Sequence, residues 1–116
     1  MRAIDWMYHR KGCKTCQRAQ DFLTKHKVKQ PEFVDARKDT LSKKDALRIA
    51  RESQEILAAK GSKVVHLKLR GTEVADKDIE AVVVGPTGNL RAPAFKVGKT
   101  LVIGFNEGAY KQVLEG

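Results

Sequence analysis

The stretch Tyr8-His9-Arg10-Lys11-Gly12-Cys13-Lys14-Thr15-Cys16-Gln17-Arg18-Ala19 holds both cysteines of a 116-residue chain, and its reading decides the rest. Two cysteines do not make a stapling framework, which in small secreted domains takes four or more. A disulfide between Cys13 and Cys16 closes too short a loop to constrain the unfolded chain much. Its point is reactivity rather than stability. Upstream, Ala3 to Tyr8 is rich in large and aromatic residues and reads as a strand. His9 to Gly12 is a short loop. Downstream, Cys16, Ala19, Phe22 and Leu23 recur at helical spacing. That helix is expected to fade near Lys27, because Gln30-Pro31 disfavours helical geometry ahead of the proline.

The cysteines therefore open a helix that follows a strand. Residues three apart in a first helical turn are neighbours at about 5–6 Å, a separation that suits disulfide geometry. Unpaired backbone N–H groups and the positive end of the helix dipole stabilise an anion there. Arg10, Lys11 and Lys14 add positive charge, so a thiolate is favoured at Cys13. Cys16, one turn deeper, is the natural resolving thiol. The expected chemistry is attack by Cys13 on a sulfur (or an oxyanion), then displacement by Cys16 to give an intramolecular disulfide. Two other readings compete. The pair could be half of a zinc site completed by His9 or His26, but there is no second Cys-x-x-Cys and the histidines sit on different elements. The pair could also be inert and buried, against which Lys11, Lys14, Gln17 and Arg18 argue for exposure.

Further along, Glu32 to Ala36 reads as a second short strand. Ser42 with Asp45 makes a capping-box-like start, followed by Ala46, Leu47, Ile49, Ala50, Ser53, Ile56 and Leu57 on one helical face. Gly61 is expected to close that helix. Val65, Leu67 and Leu69 alternate with His66, Lys68 and Arg70, as in a strand. Asp76 to Val84 starts helically, although Val82-Val83-Val84 weakens the pattern. Gly85 to Asn89 is loop chemistry. Ala94 to Val97, Gly98-Lys99 and Thr100 to Ile103 form a hairpin signal, and Asn106 caps a closing helix with Glu107 in its first turn. The order βα, βα, a variable middle and ββα predicts a mixed sheet with helices against it.

At this length the chain, residues 1–116, is expected to form one domain. Its longest apolar runs, Ile56 to Ala59 and Ala81 to Val84, are four residues, against about 20 for a membrane span. Its first residues carry no apolar run of signal-peptide length, so export is not supported and a cytoplasmic location is expected. The net charge of +9 is uneven: +6 over residues 9–29, +6 over 36–70 and −1 over 71–116. Such a surface keeps a protein soluble and can steer acidic partners or anionic low-molecular-weight thiols. Nucleic-acid binding is not expected, since the lysines of Ser42 to Lys60 are not interleaved with aromatics. Trp6 reads as core and His66 as a strand-surface residue.

Three segments carry a family resemblance: Tyr8 to Ala19, Asn89-Leu90-Arg91-Ala92-Pro93, and Leu101-Val102-Ile103-Gly104-Phe105-Asn106-Glu107. With the strand, the Cys-x-x-Cys helix and the late hairpin, they resemble the arsenate reductase (ArsC)/Spx-like branch of the thioredoxin fold. Residues 40 to 85 match only in element order. The resemblance implies a thioredoxin/glutaredoxin-like α/β fold with a central mixed four-stranded sheet, flanking helices and an ArsC-like inserted middle segment. It implies that Pro93 is a cis-proline facing the cysteine loop and that the Ala92 backbone pairs with an incoming chain or thiol ligand. Cys13 and Cys16 would be catalytic; Lys11, Gly12, Lys14, Thr15, Arg91, Ala92 and Pro93 would bind substrate. No bound cofactor or metal is expected beyond the redox-active cysteine pair and an external reductant such as glutathione, glutaredoxin or thioredoxin. The partner would be that thiol reductant or a disulfide-bearing protein, met by a monomer away from membranes. Glutaredoxin-coupled arsenate reductases bind their oxyanion with several arginines. This chain has Ala92 where one of them directly precedes the hairpin proline, and Gly104-Phe105-Asn106 where another follows the hairpin. Thiol–disulfide exchange is therefore expected ahead of arsenate reduction or an Spx-like regulatory switch.

Overall fold

In a computed structural model, residues 1–115 of the chain are described. The first strand, β1 (Trp6–His9), begins three residues later than the composition suggests and takes in His9. The residues ahead of it still lie in place, Ile4 N–H donating to Lys29 O and Asp5 N–H to Lys96 O. Helix α1 (Lys14–Lys25) follows. It ends where Lys27 enters the left-handed region at φ 54°. There Lys27 N–H bonds Thr24 O and Val28 N–H bonds Leu23 O, closing the last carbonyls. Pro31 lies beyond that stop and is not its cause.

Then come β2 (Val34–Asp35), α2 (Lys43–Arg51), β3 (Glu55–Lys60), β4 (Lys63–Lys68), α3 (Asp76–Val83), β5 (Ala94–Val97), β6 (Thr100–Ile103) and α4 (Glu107–Glu115). The capping box forms as read: Asp45 N–H donates to Ser42 Oγ and Ser42 N–H to the Asp45 carboxylate. At the far end, Asn106 Oδ1 accepts from Ala109 N–H at 2.9 Å and caps α4.

The sheet has six strands in the order β2-β1-β5-β6-β3-β4, not the four expected. The strand that the residue pattern does not predict lies in residues 53–61. Ser53, Ile56 and Leu57 fit a helical face, yet α2 stops at Arg51 and Glu55–Lys60 enters the sheet between β6 and β4. Ile56, Leu57, Ala58 and Ala59 are all buried, so this strand is apolar on both faces and shows no alternation. A short apolar run of that kind cannot be told from helix by period alone. Gly61, at φ 63°, opens the two-residue turn that joins β3 to β4 through the Lys60–Lys63 pair, instead of closing a helix.

Strand β1 runs parallel to β2 and antiparallel to β5, β5 antiparallel to β6, and β6 parallel to β3. The two sheet faces make two cores. Met7, Leu57, Phe95 and Val102 meet Phe22 and Leu23 of α1 and Tyr110 and Leu114 of α4. Tyr8, Ile56, Ala58, Leu101 and Ile103 meet Ala46 and Ile49 of α2 and Ile79 and Val83 of α3. Alternation along β1 thus sends Tyr8 to one layer and Met7 to the other. No described helix is long and apolar enough to cross a membrane.

Candidate active site

Gly12, at φ 81°, supports the turn that links β1 to α1, and in that turn Cys13 N–H donates to Arg10 O at 3.4 Å. Cys13 is the N-cap of α1, with extended φ −90° and ψ 125°. Its Sγ accepts the Cys16 N–H at 3.4 Å, and its carbonyl receives Gln17 N–H at 3.0 Å. A sulfur takes the capping role that a serine or aspartate oxygen usually fills, so the N-terminal N–H dipoles converge on it.

Both cysteines are free thiols, in unlike surroundings. Cys13 is half-buried, whereas Cys16 is 2% exposed. Burial pushes the Cys16 thiol up to about 12. The hydrogen bond from Arg10 N–H opposes that rise, and the neighbouring Cys13 adds to it. Cys16 is therefore a protonated thiol at neutral pH and Cys13 is the accessible sulfur. Tyr110 lies on the same side, its hydroxyl donating to Gly104 O at 2.6 Å. Burial, then the proximity of Cys16, raises its phenol.

Two cavities open at Cys13. One of about 160 Å³ is lined by His9, Arg10, Cys13, Cys16, Gln17 and Phe33 among others. The other, about 500 Å³, is lined by Arg10, Lys11, Gly12, Cys13 and Arg37. Of the residues picked from sequence, Lys11 and Gly12 therefore join the cysteines. Lys14 and Thr15 are exposed on the first turn of α1 and line neither cavity.

Arg91, Ala92 and Pro93 also line neither cavity. The Arg91 guanidinium donates to Val82 O at 3.1 Å and Ala59 O at 2.7 Å, tying α3 to β3. Burial lowers its pKa there. Its guanidinium is thus engaged with two backbone carbonyls. Gly104 packs against the same group: a Cβ would lie 3.2 Å from Arg91 Nη2 and 3.1 Å from Ala59 Cβ. The Ala92–Pro93 peptide is cis. Pro93 sits one step beyond the Tyr8–Ala94 pair, at the end of β1 that carries the cysteine loop, with its side chain buried.

Arg37 and Phe33 escaped the sequence reading of the site, and His9, considered there only as a metal ligand in a loop, is placed otherwise. His9 looks like loop, but it ends β1 on the Met7 side, 6% exposed, with its ring 5.6 Å from that of Phe33. Its Nε2 has no hydrogen-bond partner among the described residues, and burial lowers its pKa. Period-two alternation with Met7 is the signal that could have placed it. Arg37 and Phe33 arrive from the β2 region, and only the parallel β1–β2 pairing brings them near Cys13. No group of three His, Cys, Asp or Glu side chains converges among the described residues. The zinc reading thus finds no ligand set there.

No family model matches the chain. No curated protein matches it either. Among solved structures, one titled "YffB (PA3664) protein" is similar at 21% identity and a TM-score of 0.54, over 93% of this chain and 96% of that one. At that identity the likeness speaks to the fold.

Proposed function

We propose that the protein is a thiol–disulfide oxidoreductase of the ArsC/Spx-like branch of the thioredoxin fold, acting in the cytoplasm with an external thiol reductant. The carrying observation is the division of labour within the pair: an accessible sulfur at the helix N-cap and a buried, protonated one a turn deeper. The strand order β2-β1-β5-β6, with α1 and α4 on one face, supports the thioredoxin-like reading, and β3–β4 is then the insertion at the β6 edge.

Cys13 thiolate attacks one sulfur of a disulfide, forms a mixed disulfide and expels one thiolate. Cys16 then loses its proton, attacks Cys13 Sγ and expels the second thiolate. The dithiol loses two electrons and the substrate disulfide gains them. Two thiols of the external reductant reverse the change and complete the cycle. The arginine positions of the arsenate reductases are not reproduced here, because Arg91 is bonded to carbonyls and Gly104 offers no side chain, which favours thiol–disulfide exchange.

The test is reduction of a small disulfide in a coupled assay. Cys13→Ser is expected to abolish turnover and Cys16→Ser to lower it strongly. Turnover that survives Cys13→Ser contradicts the reading. A wild-type pair that oxidises without turning over supports a redox-switched regulator instead.

A further inference from the structure

The sheet ends on two unlike edges. At one, β2 holds only two residues; at the other, β4 offers six, paired with β3 from Lys63 to Lys68 in unbroken register. Leu69 N–H donates to Gln54 O at 2.8 Å, which fixes the alternation along the strand. Lys63, Val65 and Leu67 therefore turn their backbone groups toward β3, whereas Val64, His66 and Lys68 turn theirs to the open side. No hydrogen bond among the described residues engages those outward groups. The side chains divide as well: Val65, Leu67 and Leu69 are half-buried against the layer of α2 and α3, and Val64 is 37% exposed. Residues 60–70 carry Lys60, Lys63, Lys68 and Arg70 and no carboxylate. None of these cations has an acidic partner within 4.0 Å among the described residues. At the end of β4, a cavity of about 180 Å³ gathers Lys68, Arg70 and Lys99 beside Glu55, whose carboxylate lies 3.5 Å from His66 Nε2.

An unbroken edge without proline or bulge is a template for a further strand, and native sheets usually block it. Here the lysines block one partner in particular. A second copy of the chain would bring the same cations and no carboxylate to the edge, so self-pairing is opposed. An acidic strand meets the reverse. It finds unpaired cations at both ends of β4, outward N–H and C=O groups between them, and Val64 for an apolar contact. We propose that β4 docks an extended acidic segment of another protein. The segment adds to the sheet beside Val64, His66 and Lys68, with one carboxylate at Lys63 and another in the cavity of Lys68, Arg70 and Lys99. Backbone bonds supply the binding, and the end charges select the partner. Strands β5, β6 and β3 lie between this edge and β1, so docking leaves the cysteine loop free.

The experiment follows the isotope-labelled full chain by NMR as it is titrated with a short peptide of alternating valine and threonine that carries paired glutamates at each end. A lysine-ended counterpart and oligothymidylate are the comparisons. The acidic peptide is expected to shift the β4 amide resonances and to slow hydrogen exchange at Val64, His66 and Lys68 by about tenfold or more. The lysine-ended peptide should bind about tenfold more weakly, or not at all. Joint Lys63→Glu and Lys68→Glu substitution should reverse that preference. Val64→Pro, which removes one outward donor and leaves every charge in place, should weaken the acidic peptide several-fold. Absence of shifts at β4, equal affinity for the two peptides, or undiminished binding of the acidic peptide by Val64→Pro overturns strand addition. A dimer that perturbs β4 without peptide makes a second copy the occupant, and oligothymidylate held at β4 more tightly than the peptide makes the edge a nucleic-acid surface. Either result overturns the acidic-segment proposal.

Discussion

Cys16 and His9 are both buried in the form that carries no charge, and they set opposite limits on stability. The Cys16 thiol rises from 9.0 to about 12 in the folded chain, so between those values the native state holds a proton that the unfolded state has lost. Its contribution is therefore full below pH 9 and is lost as pH climbs toward 12. His9 shifts the other way, lowered from 6.5 by burial. Below pH 6.5 the unfolded chain gains a proton that the native imidazole resists, so stability falls as pH falls. Urea unfolding across this range should show a plateau near neutrality with both flanks declining. His9→Asn should flatten the acid flank and Cys16→Ala the alkaline one. A flank that persists in its variant assigns the loss to another group.

At the scale of elements, the chain is legible except at Glu55–Lys60. The Cys-x-x-Cys helix, the Ser42–Asp45 box and the Gly98-Lys99 hairpin each carry a local signal that tertiary contacts reinforce. Glu55–Lys60 carries none, because a strand covered on both faces has no period to read. The site divides in the same way. The cysteine pair is written in sequence, whereas Phe33 and Arg37 meet it only through the β1–β2 pairing and cavity shape. Arg91, a residue that motif position favours, is bonded to two backbone carbonyls. Arg91→Met is expected to cost about 2–4 kcal/mol, since it leaves Val82 O and Ala59 O without their charged donor. The effect should appear in the unfolding midpoint, with KM for a small disulfide unchanged. A shifted KM at unaltered stability would return Arg91 to the site.

Over the whole molecule, one sheet links the cysteine loop to the appended hairpin. Strands β1 and β5 hold the end of the sheet from which that loop springs, and β6 joins them to β3 and β4. The helices divide between its faces, α1 and α4 against α2 and α3, so the reactive turn stands on a core with two packed layers. Such support keeps Cys13 at the surface while Cys16 stays beneath it. The central claim is that these two sulfurs act in that order. Peptide mapping of the Cys16→Ser variant after reaction with 2-hydroxyethyl disulfide tests it most directly. The account predicts a stable mixed disulfide on Cys13, formed in full, and in the wild type its replacement by a Cys13–Cys16 bond. An unmodified Cys13 in the Cys16→Ser chain, or an adduct that forms on Cys16 when Cys13→Ser is treated alike at a comparable rate, would contradict it.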